Sequence, residues 1–137
     1  MQIERTAIEG VLILRPRKFT DERGFFAPVF VASALEAAGV KHGWVQDSQS
    51  LSLRKGTVRG LHFQRPPFAQ AKLVRVIRGA AIDVCVDLRE GSPTRNANVA
   101  VELTADNLVQ VYMPPGLAHG FCTLQDNPAV AWVGASA

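Results

Sequence analysis

Cysteine is scarce in this chain and long apolar runs are missing. Among 137 residues only Cys85 and Cys122 are cysteines, each inside an apolar stretch. That spacing excludes a disulfide framework and a cysteine metal clip, and leaves both as small buried hydrophobes. No window approaches the roughly 20 apolar residues that a helix needs to cross a bilayer. The N-terminus, MQIERTAIEG, lacks the basic-then-apolar layout of a secretory signal. A cytoplasmic location with no membrane partner is therefore expected. Basic runs are missing too: Lys and Arg are scattered singly and the formal charge is only +3. This argues against nucleic-acid binding and is compatible with a small phosphorylated ligand. No internal repeat or low-complexity segment is present.

The length suits one domain, residues 1–137, with one hydrophobic core. Val11 to Leu14 reads as a first strand, ended by Arg15-Pro16. Phe19 to Phe26 sets a charged, glycine-containing turn between aromatic residues, a layout that suits a binding loop or a hairpin. Its phenylalanines either stack on a ligand or anchor the loop in the core. Ser33 to Gly39 is the one convincing helix, with Ser33 as N-cap and Gly39 as the stop. From Trp44 to Val133 the chain is a series of short runs, many β-branched, several of them separated by Gly, Pro, Asn or Asp. Such spacing predicts an all-β fold, a sandwich or barrel of the jelly-roll kind.

Most of the side chains that look like chemistry lie between Val58 and Leu88. In Ala81–Leu88 alternation puts Ile82, Val84, Val86 and Leu88 on one face, read as core, and Asp83, Cys85 and Asp87 on the other. Asp83 is either paired structurally with an Arg or His, or a site residue. Asp87, followed by Arg89, reads as a solvated strand-end charge. Around His62, strict alternation sends Arg59 and His62 to opposite faces, and a bulge at Gly60 would reunite them. Further on, Pro114-Pro115-Gly116-Leu117-Ala118-His119 uses a proline-glycine turn to aim an imidazole. It resembles the second motif of the cupins, P-x-G-x-x-H. The first cupin motif would need a second histidine where Gln64 stands, so a full set of metal ligands is not supported. His42, in a loop, has no evident role.

Six segments in order, Asp21–Phe26, Arg59–Gln64, Ala71–Val74, Asp83–Arg89, Ser92–Thr94 and Pro114–Phe121, make the chain resemble the dTDP-4-dehydrorhamnose 3,5-epimerase family. The resemblance implies a cupin-type jelly roll with one short helix, a homodimer, and no metal or organic cofactor. The implied activity is an isomerase that inverts carbons 3 and 5 of dTDP-4-keto-6-deoxyglucose, a thymidine-diphosphate sugar, in dTDP-L-rhamnose synthesis. By resemblance His62 is the base and Lys72 stabilises enolate charge. Arg23 and Arg59 hold the pyrophosphate, Gln46 and His119 are further ligand contacts, and Phe19 and Phe26 flank the nucleotide.

The chain also departs from that family. Thirteen residues after His119, where the family places a tyrosine thought to act as the acid, stands Trp132. Indole has no accessible acid proton. Pro28 replaces a glutamate that contacts the nucleotide. The family continues beyond the position of Ala137, into a segment with an aspartate that orients the catalytic histidine. The expectation is thus a domain lacking that segment, with proton return impaired and Asp83 as the remaining partner for His62. Two other readings are a non-catalytic sugar-nucleotide binding relative and a metal-dependent cupin using His62, His119 and Asp83.

Overall fold

A computed structural model describes residues 1–136. The strands are β1 (Gln2–Arg5), β2 (Leu12–Arg15), β3 (Phe19–Asp21) and β4 (Gly24–Phe26), then, after helix α1 (Ala32–Ala37), β5 (Trp44–Leu51) and β6 (Val58–His62). There follow β7 (Gln70–Arg78), β8 (Ala80–Asp87), β9 (Asn98–Thr104), β10 (Gln110–Met113), β11 (Leu117–Thr123) and β12 (Ala129–Ser136). A six-stranded sheet, in the order β1-β2-β10-β7-β12-β5, accompanies a four-stranded sheet ordered β6-β11-β8-β9. Every strand pairing is antiparallel. This is the expected jelly-roll sandwich, in which sequence neighbours such as β5 and β6 belong to different sheets.

Period-two alternation gives the strands two usable faces. On β7, Val74 and Val76 join Val11, Leu103, Val111 and Val130 in the core between the sheets. The alternate residues Ala71 and Leu73 join Leu12, Leu14, Leu35 and Tyr112 in a second cluster on the outer face, under α1. Each fully buried aliphatic side chain contributes roughly 1.5–3 kcal/mol, so these clusters dominate the stabilisation of the fold.

Local expectations fared unevenly. The first strand is β1, not Val11–Leu14, most of which forms β2. The helix starts at Ala32 with Val31 at the cap and no capping side chain, so Ser33 is not the N-cap. Gly39 does end the helix, at φ +90°. His42 has a role after all: its Nε2 hydrogen-bonds Tyr112 Oη at 2.7 Å. Cys85 is buried as expected, whereas Cys122 is only partly so, and both are free thiols.

On β8 the expected core face is inverted. Ala81, Asp83, Cys85 and Asp87 are the buried set, while Ile82, Val84 and Val86 are half-buried. Asp87 is not solvated; it is fully enclosed. It accepts hydrogen bonds from Arg89 Nε (3.0 Å), Ser92 Oγ (2.5 Å) and Thr94 Oγ1 (2.8 Å). Those donors hold its carboxyl well below the usual carboxylate range, the Arg89 hydrogen bond contributing most. Alternation was read correctly. The polar face is turned inward, where local donors satisfy Asp87 and His119 meets one oxygen of Asp83.

Candidate active site

Where β6 meets β11 the backbones touch. Gly60 has φ +104°, and a Cβ there would lie 2.6 Å from His119 O and 2.8 Å from Gly120 Cα. A Cβ on Gly120 would in turn lie 2.6 Å from Arg59 O. Two glycines interlock at a point where no side chain fits. The register records the consequence: His119 faces His62 and Phe121 faces Arg59, so β6 carries one residue more than β11 between the pairs. The bulge expected at Gly60 exists, and it brings Arg59 and His62 to one cavity.

That cavity, of about 130 Å³, is lined by Ser50, Arg59, His62, Lys72, His119, Gly120, Phe121 and Trp132. Two of the guanidinium N–H groups of Arg59 are held by β5 and the residue following it: Nε donates to Ser52 Oγ at 2.9 Å and Nη2 to Leu51 O at 3.2 Å. This anchors the head at the cavity wall. Lys72 stands on β7 opposite Gly134 of β12. Burial pushes its ammonium down from the ordinary lysine value, and the charge of Asp83 opposes that shift.

The turn before β11 delivers His119 as anticipated. Gly116 sits at φ +97°, and a Cβ there would meet Arg89 Cγ at 2.7 Å. His119 Nε2 lies 2.6 Å from Asp83 Oδ1, and both side chains are largely buried. Burial raises the Asp83 carboxyl above its usual range, while the His119 hydrogen bond and the charges of His119 and Lys72 pull it back. Asp83 Oδ2 has no hydrogen-bond partner in the protein. The expected pairing of Asp83 with His62 is therefore corrected: Asp83 belongs to His119. Among the described residues no side chain hydrogen-bonds the His62 imidazole, which is exposed.

The aromatic hairpin stands apart from this cavity. Phe19, Arg23 and Phe26 line a separate concavity with Asp21, Gly24 and Phe25. Arg23 Nη2 is paired there with Asp21 Oδ2 at 2.7 Å. Phe19, Phe25 and Phe26 are 47%, 52% and 68% exposed, so none anchors the core. Gln46 shares a cross-strand row with Gly134 and Lys72. It is exposed and outside the cavity lining.

Among the described residues no three His, Cys, Asp or Glu side chains stand close enough to hold a metal ion. A metal centre built on His62, His119 and Asp83 is thus not formed. Sequence reasoning missed Ser50, whose Oγ is fully buried without a partner. The available signal was the alternation Gln46, Ser48, Ser50, which places three polar groups on one face of β5.

Three comparisons accompany this geometry. The family model for dTDP-4-dehydrorhamnose 3,5-epimerase matches residues 5–135. The protein of that name from Escherichia coli K12 is 50% identical over 127 residues, covering 92% of this chain and 68% of that protein. A crystal structure of the Bacillus anthracis epimerase with TDP and pyrophosphate bound superposes with a TM-score of 0.95 at 44% identity, covering 99% of this chain and 78% of that one. The Legionella pneumophila epimerase, solved in complex with dTDP-4-keto-L-rhamnose, gives 0.92 at 40% identity, with 99% and 72% coverage.

Proposed function

The chain belongs to the dTDP-4-dehydrorhamnose 3,5-epimerase family, and on that premise we propose how its cavity inverts carbons 3 and 5 of dTDP-4-keto-6-deoxyglucose in dTDP-L-rhamnose synthesis. Both carbons are α to the C4 ketone. His62 takes the proton from one of them, the C–H pair becomes the ring C=C, and the carbonyl pair moves onto O4. The Lys72 ammonium stabilises that enolate oxygen, solvent water gives a proton to the opposite face so that the ketone reforms with the carbon inverted, and His62 releases its proton to solvent. The observation that carries this reading is the placement of His62 and Lys72 on the walls of one cavity with Arg59 beside them. Arg59 has guanidinium donors left for the diphosphate. His119, held by Asp83, is a further contact for the sugar.

Trp132 stands in the cavity lining and brings no acidic proton. Proton removal should outrun inversion, and Trp132→Tyr should raise the ratio of inverted product to exchanged substrate by about tenfold or more. The non-catalytic reading is not favoured, because the relatives the chain matches are epimerases by name and His62 and Lys72 line one cavity. Incubation with the 4-keto sugar nucleotide in deuterated water tests the whole scheme by mass spectrometry and NMR. Deuterium at carbons 3 and 5 is expected; none at either carbon would refute it.

The working unit we propose is a homodimer of single-domain chains in the cytoplasm. Two edge strands of different sheets, β5 and β6, expose Val45, Val58 and Leu61 at 57–68%. Such edges call for a covering partner. A second copy also offers a way for Phe19, Arg23 and Phe26 to reach a nucleotide that starts at Arg59. Light scattering on the purified chain should give twice the monomer mass.

A further inference from the structure

Three loops meet at the end of the four-stranded sheet where β6 and β8 finish and β11 begins. Between them lies a concavity of about 920 Å³, within the range of about 300–1,000 Å³ typical of small-molecule sites. It shares no lining residue with the catalytic cavity. His62 and Gln64 turn to a recess beside Lys72 and His119, whereas Phe63 and Arg65 turn to the concavity, which lies behind the segment that carries the base. Phe63, Pro66, Pro67, Leu88 and Pro115 give it apolar walls, and Phe63 and Leu88 are open to solvent. Its charged groups are Arg65, Arg89, Arg95 and Glu90. Arg89 is already engaged, donating to Asp87 and to Glu9 O. Arg65 and Arg95 are exposed, and among the described residues neither takes part in an ion pair. The walls are set before any ligand arrives. Buried Asp87 holds the Arg95 loop through Ser92 and Thr94, and the Asn96 N–H donates to Asp87 O at 2.8 Å. Pro66 and Pro67 restrict the backbone of the other loop. Little ordering is left to be done on binding.

We propose that this concavity is a second ligand site, and that it takes a nucleotide. Arg65 and Arg95 hold the phosphates, because the guanidinium fork matches phosphate oxygens. The apolar walls, with the Phe63 ring among them, receive the base. Glu90 accepts a hydrogen bond from a ribose hydroxyl or a base amine, so the one carboxylate in the lining also has a partner. Free phosphate would leave the apolar walls uncovered, and an uncharged ring would leave both guanidiniums unused. The site stands apart from the epimerase chemistry and does not rest on it.

Calorimetry on the whole chain with dTDP, ADP, GDP and pyrophosphate tests the proposal. At least one nucleotide should bind in a mode that Arg65→Ser and Arg95→Ser each weaken about tenfold and that Arg59→Ala leaves unchanged. Phe63→Ala should weaken that mode about fivefold while changing pyrophosphate by no more than about twofold. Tm should be unchanged in both arginine variants, since neither guanidinium is tied into an ion pair. Nucleotide binding that only Arg59→Ala reduces, or no nucleotide binding at all, would overturn the site. Pyrophosphate held at Arg65 and Arg95 as tightly as any nucleotide, or a Tm lowered by either arginine substitution, would overturn it too. Deuterium exchange at carbons 3 and 5 decides the epimerase reading separately.

Discussion

Two positions of β8, one in its middle and one at its end, carry the same side chain in opposite circumstances. Asp83 and Asp87 lie on one buried face, 2% and 0% exposed. Asp87 meets a guanidinium and two hydroxyls, and its carboxyl is held low. Asp83 meets one imidazole, keeps an oxygen with no partner, and is pushed high by burial. Burial alone decides nothing about a carboxylate; the supply of donors does. Where donors are complete the residue ties chain segments together, here the Arg89–Thr94 turn to the strand. The incompletely satisfied carboxylate holds His119 of the cavity wall and acts through its charge on Lys72.

The largest effect should come from cutting the satisfied end. Asp87→Ala leaves Arg89 half-buried without its partner and should cost about 3–5 kcal/mol in urea unfolding. A loss below about 1 kcal/mol would break the contrast. Next in size are the opposed pH dependences. Asp87, with a lowered folded value, contributes stability that is present above its ordinary value of 3.8 and is lost as pH falls through the folded value. For Asp83, with a raised folded value, stability is greatest at low pH and declines as pH rises from 3.8 through the raised value. Asp87→Asn should therefore weaken the protein at pH 7 and flatten its acid limb. Asp83→Asn should keep or raise Tm at pH 7 and remove the decline on the neutral side. Thermal melts of both variants from about pH 1.5 to about pH 8 check this, and parallel profiles would erase the distinction. Turnover should fall about tenfold in Asp83→Asn, since Lys72 loses the carboxylate charge that favours its ammonium. The smallest effect should come from Thr94→Val, which removes one of several donors to Asp87. It should cost about 1 kcal/mol in the same urea assay and leave turnover unchanged.

The hairpin and the cavity sharpen the same lesson at larger scale. Six ordered segments pointed to the family and named His62, Lys72, Arg59 and His119 by position. The structure brings these four to one cavity and leaves Phe19, Arg23 and Phe26 at another concavity. A linear pattern does not say which concavity a loop joins.

Alternation and turn chemistry, both local, were readable from the residues. They yielded the all-β class, a turn between the aromatics of Phe19–Phe26, the stop at Gly39, a candidate bulge at Gly60 and the aim of the Pro114–Gly116 turn. What they left undecided depends on neighbours distant in sequence. The inward-facing carboxylates of β8 find their partners across space, Ser92 and Thr94 for Asp87 and His119 for Asp83. The partner of Asp83 was settled by the β8–β11 pairing, which brings His119 within 2.6 Å of it. The isolation of Ser50 Oγ was settled by two sheets closing over it. Period and spacing act along the chain, whereas charge pairing and enclosure act across space, and only the folded protein joins the two.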